Sequence, residues 1–184
     1  MSRFVVAALA GFCLSLGVRA DDKGTETEID GLKSKTPANW KSQEPEGQNR
    51  TYQFTIPKVD GDKDDAQLIV FFFGAGQGGG IEANIQRWKN MVKPAEGAKE
   101  SDAYKTTEFK VGDAKVTMFE ANGTYMFKKR AFDPNEKPEP RPDYRMVAVV
   151  FESKNGPYYV RMFGPQKTME ANRKGFEEWI KGFK

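Results

Sequence analysis

The 184-residue chain contains no histidine and a single cysteine, Cys13. Without histidine there is no Ser-His-Asp triad, no Cys-His nucleophile pair, no imidazole base and no histidine-ligated zinc. Leucine is scarce as well: beyond Thr36 only Leu68 remains, and phenylalanine, valine, isoleucine and methionine supply the apolar mass. That composition favours sheet over an all-helical bundle. No run after residue 20 approaches the roughly 20 apolar residues of a membrane-spanning helix. Neither sign of charge dominates, since 29 basic residues against 26 acidic ones leave +3.

The first twenty residues have the layout of an export signal. Arg3 gives a short positive start, Phe4 to Val18 is apolar apart from Ser15, and Val18-Arg19-Ala20 suits a cleavage site. Phe12 before Cys13, inside the apolar run, argues against lipid attachment. The expected destination is periplasmic or extracellular. Cleavage after Ala20 leaves 164 residues and removes Arg3, Arg19 and Cys13, so the charge falls to +1. The thiol is gone, a general nucleic-acid partner loses its support, and the fold must hold by packing alone.

Residues 21–35 are polar and read as a flexible lead-in, followed by one domain over residues 36–184. Tyr52, Phe54 and Ile56 alternate with polar residues up to Pro57, as in a half-buried strand. Leu68 to Phe73 is an unbroken apolar run, as in a central strand covered on both faces. Ile81, Ile85, Trp88 and Val92 recur at helical spacing, and Pro94 ends that helix. Gly112-Asp113 and Asn155-Gly156-Pro157 predict hairpins, and Asn122-Gly123 predicts a further turn. Lys128 to Pro142 carries four prolines and reads as an irregular loop, and Gly164-Pro165 reads as the exit from the sheet. Met169, Phe176, Ile180 and Phe183 share one face of a C-terminal helix. The expected fold class is α+β, an antiparallel sheet backed by helices.

Three segments are candidate sites. Gly74, Gly76 and Gly79 match G-x-G-x-x-G between a strand and a helix, but no second buried strand ending in an acid follows, so a dinucleotide site is not expected. Two readings of the turn remain: its backbone N–H groups hold an anion, with Gly76, Gly78, Gly79, Gly80 and Arg87 as ligands, or its glycines let the helix approach the sheet. The second is the simpler. Asp60, Asp62 and Asp64 suggest a calcium loop, yet the spacing lacks an EF-hand's sixth-position glycine and twelfth-position glutamate, and a solvated acidic turn fits as well. Lys128, Lys129, Arg130, Arg141 and Arg145 make the proline-rich segment basic, suited to an acidic partner or simply to a solvated loop. Glu120, Glu152, Glu177 and Glu178 offer carboxylates for glycoside hydrolysis, but no spacing brings two of them together. Ser153-Lys154 fails as a Ser–Lys pair because neighbouring strand residues face opposite sides. Trp40, Trp88 and Trp179 read as core, and Asn49-Arg50-Thr51 and Asn122-Gly123-Thr124 are glycosylation sequons.

Phe73-Gly74-x-Gly76-x-Gly78-Gly79-Gly80 followed by Asn84-Ile85-x-Arg87-Trp88 resembles a group of uncharacterised exported bacterial proteins. Asp143-Tyr144-Arg145-Met146 and Gly164-Pro165 fit the same group. Pro37-x-x-Trp40, the strand order and the two helices are similar, more loosely, to the PsbP/Mog1-like fold. The resemblance implies an antiparallel α+β domain and an exported location, and it transfers no binding residue. The resulting expectation is a non-catalytic binding or scaffold domain of the cell envelope, with an envelope protein or an anionic ligand as partner and no cofactor. Its rival is a carboxylate-dependent hydrolase acting on envelope polysaccharide.

Overall fold

A computed structural model describes residues 23–128 and 135–184. The expected leader, and Lys129 and Arg130 of the basic segment, lie outside the described residues. Two glycine turns set the centre of the sheet. β7 (Tyr104–Val111) and β8 (Ala114–Phe127) pair antiparallel across Gly112-Asp113, where Gly112 takes φ 55°. β9 (Glu139–Ser153) and β10 (Gly156–Pro165) pair from Ser153–Gly156 outward. β9 also pairs with β8, so it is central, and its apolar run is read from both sides. Val147, Val149 and Phe151 enter one core; Met146, Ala148 and Val150 enter the other. β4 (Arg50–Ile56) and β5 (Ala66–Phe72) extend the sheet beside β10, β3 (Lys41–Gln43) closes one end, and β6 (Val92–Lys93) joins β8 at the other. Every pairing in the sheet is antiparallel, as the order of strands and helices predicts.

One face is covered by the C-terminal segment. The expected single helix is two, α3 (Gln166–Ala171) and α4 (Arg173–Lys181), broken at Asn172. The buried amide of Asn172 donates to the Thr168 carbonyl at 2.9 Å and accepts from the Trp40 indole at 3.0 Å, bonds that a continuous helix surface does not require. Met169, Phe176, Ile180 and Phe183 are all buried, as their spacing predicts. The lead-in over residues 21–35 needs correction: β1 (Glu26–Ile29) and β2 (Leu32–Lys35) form a hairpin against α4. Thr27 accepts the Trp179 indole N–H at 2.9 Å, and Lys33 exchanges backbone hydrogen bonds with Lys184. Ile29 is fully buried.

Two turn assignments also change. β8 runs straight through Asn122-Gly123, with a register shift there rather than a reversal. Gly123 has φ 150°, and a Cβ would lie 2.0 Å from the Lys93 carbonyl oxygen. Left-handed backbone serves a bulge as readily as a turn. Gly123→Ala is expected to cost about 2–4 kcal/mol, from strain plus overlap with β6, read as a fall in the urea midpoint. The second change is that Pro140 and Pro142 lie within β9. There β10 has ended at the Tyr144–Pro165 pair, so β9 has β8 on one side only, and a missing N–H on the open side costs no ladder bond. Likewise Gly164-Pro165 completes β10 instead of leaving it.

The opposite face is covered by α1 (Ile81–Met91), which packs on β8 and β6; a single helical turn, α2 (Glu100–Ala103), leads into β7. Trp88 of α1 is buried and stacks on Phe119, ring centroids 6.1 Å apart. Eleven residues are too few to span the sheet. Beside α1, over β5 and β10, the same face opens as a cavity.

Candidate functional site

The cavity measures about 900 Å³, within the usual range for a small-molecule site. Its floor is the β5–β10 pair. Val70 faces one core, so Phe71 faces this side, and on β10 Tyr159 and Arg161 do the same by alternation. α1 supplies one wall with Asn84, Arg87, Trp88 and Met91, β6 adds Lys93, β8 adds Tyr125, and Lys128 follows just beyond it. Phe73, the exposed large hydrophobic residue at the end of β5, stands parallel to Phe71 with centroids 6.0 Å apart and edge-on to Tyr159 at 5.7 Å.

Arg161 sits in this aromatic setting. Its guanidinium carbon lies 5.6 Å from the Phe71 centroid and 5.2 Å from that of Phe163. Nη1 donates to the Met91 thioether at 3.3 Å, a weak acceptor, and Nε is buried without an acceptor. Burial pushes the Arg161 pKa below its usual range; the Tyr125 phenol opposes this, and the like charges of Arg50 and Arg87 add to it. The other cations are held by neutral groups too. Arg50 donates to the Gln53 amide oxygen at 2.7 Å, Arg87 to Asn84 at 2.7 Å and Lys93 to Asn90 at 2.8 Å. No carboxylate lines the cavity or pairs with these four cations among the described residues.

The arginines on the opposite face are compensated. Glu120, buried in β8, accepts from Arg173 Nη2 at 2.9 Å and from Arg145 Nη2 at 3.3 Å. Arg145 also pairs with Glu170, and Arg173 with Glu177. One chain therefore builds one arginine cluster with carboxylates and another without them.

The glycine turn borders the cavity through Gly78, Gly79 and the nearby Arg87; Gly76 and Gly80 do not line it. The acceptors of the turn face inward. The Asn84 amide donates to the carbonyls of Gly78 and Gly80 at 3.0 Å, and the Tyr159 hydroxyl donates to that of Gly79 at 2.7 Å. A Cβ on Gly78 would lie 2.5 Å from the Tyr159 ring, so close packing explains that glycine. The groups here that suit an anion are side-chain cations.

The basic segment divides. Lys128 reaches the cavity wall. Arg141 stacks on Phe127 at 3.8 Å and pairs with Glu139, while Arg145 is consumed by Glu120 and Glu170. The acidic turn is not gathered around one point, and no group of three acidic or thiol ligands forms among the described residues. Asp62 accepts both the backbone N–H and the hydroxyl of Thr168, capping α3 from outside, and Asp64 accepts the Tyr144 hydroxyl at 2.8 Å.

That last contact has a pH consequence. Burial, then the Asp64 carboxylate, raises the Tyr144 pKa to about 12 against 10 for a free phenol. A raised folded-state value means stability complete below pH 10 and declining from there toward pH 12. Between pH 9 and 11 the parent chain is expected to lose about 1 kcal/mol more than Tyr144→Phe, measured by urea unfolding at both pH values.

Arg50, Phe71 and Arg161 were not among the residues the sequence singled out. The available signal was Arg161 itself, a cation inside the hairpin strand Tyr158 to Phe163, on the same face as Tyr159 and Phe163. A second was the amide three residues from each of the other three cations: Asn84 to Arg87, Asn90 to Lys93 and Arg50 to Gln53.

Neither a family model nor a curated protein matches the sequence. Among solved structures, the chain is similar to the solution structure of cyanobacterial PsbP (CyanoP) from Synechocystis sp. PCC 6803. The two share 9% identity over 95% of this chain and 97% of that one, with a TM-score of 0.46. A likeness at this level transfers no residue and no activity, and the cavity stands on its own chemistry.

Proposed function

We propose that the protein is an exported, non-catalytic binding domain of the cell envelope that holds an anionic ligand in the cavity beside α1. Export rests on the pattern of residues 1–20. The binding reading rests on one observation: Arg50, Arg87, Lys93 and Arg161 converge on an aromatic cavity and are held there by amides and a thioether, not by carboxylates. Arg50 and Arg161 are half-buried, and the Arg161 Nε is fully buried without an acceptor, so an anion on that guanidinium supplies a counter-charge the fold does not. The rival polysaccharide hydrolase needs two carboxylates flanking a substrate. Among the described residues the cavity wall carries none.

Titration of the ¹⁵N-labelled protein with phosphate, sulfate and acetate at low salt tests the reading. Amides of Phe71, Gly79, Met91 and Arg161 are expected to shift, and added salt or Arg161→Met to suppress the response. Absence of shifts at tens of millimolar anion, across all three, refutes it.

A further inference from the structure

The cavity is far larger than its cluster of cations requires, and the rest of its lining is mostly apolar, with Asn84 and Asn90 the exceptions. An inorganic ion on Arg161 would leave most of the 900 Å³ to water lying against Phe71, Phe73, Trp88 and Tyr159. Building on the reading of the cavity as an anion site, we propose that its ligand is a small amphipathic anion: a single carboxylate or phosphate group carried on a flat, aromatic body.

Two features of the geometry select those parts. Arg161 is fixed between the Phe71 and Phe163 rings, so its donors are oriented before anything binds. Nη1 is held by the weak Met91 acceptor and Nε is closed off from solvent, so an oxyanion takes Nη2 first, with Nη1 exchanged from the sulfur. Arg50, 5.8 Å from the same Phe71 ring, and Arg87 on α1 add charge without occupying those donors. For the body, Phe71 and Phe73 present near-parallel rings, 8° apart, along one strand, with the Tyr159 ring set at 71° to Phe73. Phe73 is 39% exposed, unlike the buried aromatic residues of both cores. Aromatic rings favour offset stacks and edge contacts with other rings, so this lining suits a flat aromatic body. A carboxylate and a phosphate monoester share the chemistry Arg161 reads, and the probes separate them.

The test is calorimetry on the full chain with four probes at one low ionic strength: 2-naphthoate, 2-naphthyl phosphate, 2-naphthamide and inorganic phosphate. The expected result is that naphthoate or naphthyl phosphate binds at least tenfold tighter than both the neutral amide and inorganic phosphate. The tighter of the two identifies the head group. Arg161→Met is expected to cost tenfold or more for the naphthyl anion and little for the amide. Phe73→Ala, a surface change that leaves the cores intact, is expected to cost about fivefold for naphthyl ligands and nothing for inorganic phosphate. Near-UV circular dichroism confirms that both variants fold. Inorganic phosphate binding as tightly as naphthoate overturns the amphipathic ligand while leaving the anion site standing. Naphthamide binding as tightly as naphthoate overturns the anion site as well, and so does binding of none of the four.

Discussion

Arg161→Met is expected to melt about 3–6 °C above the parent chain while losing its anion binding. The two effects have one cause. A half-buried guanidinium with a buried, unpartnered Nε and two neighbouring arginines is a charge the folded state holds at a cost of about 3 kcal/mol. Against that, the contacts with Phe71 and Phe163 return about 0.5–1 kcal/mol each, and the bond to the Met91 sulfur adds little. Methionine fills a similar volume, keeps contact with both rings and carries no charge. The net gain is about 1–2 kcal/mol, and each kcal/mol moves the melting temperature about 2–4 °C in a chain of this length. Differential scanning calorimetry of the two proteins without ligand reads it directly. Saturating the parent chain with a tight anion closes the gap, because ligand that binds only the folded state adds its own stabilisation and Arg161→Met cannot use it. A variant that melts at or below the parent would mean that water or neighbouring dipoles already compensate Arg161. The cluster would then be structural.

How much of this was legible from residues alone depends on how far away the deciding partner lies. The hairpins at Gly112-Asp113 and Asn155-Gly156 were legible because turn chemistry and strand alternation are local. The interior place of β5, between β4 and β10, followed in the same way from the apolar run Leu68 to Phe73, although Phe73 past its end is exposed. The β1–β2 hairpin was not legible. Its inward residues are Thr27, Ile29 and Ser34, mostly polar, and their partners Trp179 and Lys184 lie some 150 residues downstream. Gly123 showed a correct local signal with the wrong consequence, since positive φ fits a bulge or a reversal and the strands on either side choose between them. The glycine turn was legible as a turn, and the fold sets it at the border of the cavity with its carbonyls bonded to Asn84 and Tyr159. Arg145 and Arg161 look alike in sequence, each a lone cation among apolar strand residues. Only the fold reveals that one meets Glu120 and Glu170 while the other meets a thioether.

That contrast yields the largest loss of stability expected of any single change here. Glu120→Ala is expected to destabilise the protein by about 3–5 kcal/mol, the opposite sign to Arg161→Met although both delete a charge carried on the sheet. Glu120 has 5% of its side chain exposed, and its two oxygens take bonds from Arg173 and Arg145, whose side chains are 24% and 17% exposed. Removing the carboxylate leaves two guanidinium groups partly buried with one acid partner each, Glu177 and Glu170, and the latter is 67% exposed and well solvated. Glu120→Gln, which keeps shape and one acceptor, is expected to recover about half of the loss. The exposed pair Glu26–Lys33, with both side chains 55% exposed, is the internal control, and Glu26→Ala is expected to change stability by less than about 0.5 kcal/mol. Urea unfolding in 0.1 M and 1 M salt separates the two environments, since screening weakens the surface pair and barely touches the buried one. A loss under about 1 kcal/mol for Glu120→Ala would show that solvent reaches Arg145 and Arg173. Charge on that face would then carry no more weight than charge at the surface, and the difference drawn between the two arginine clusters would fall with it.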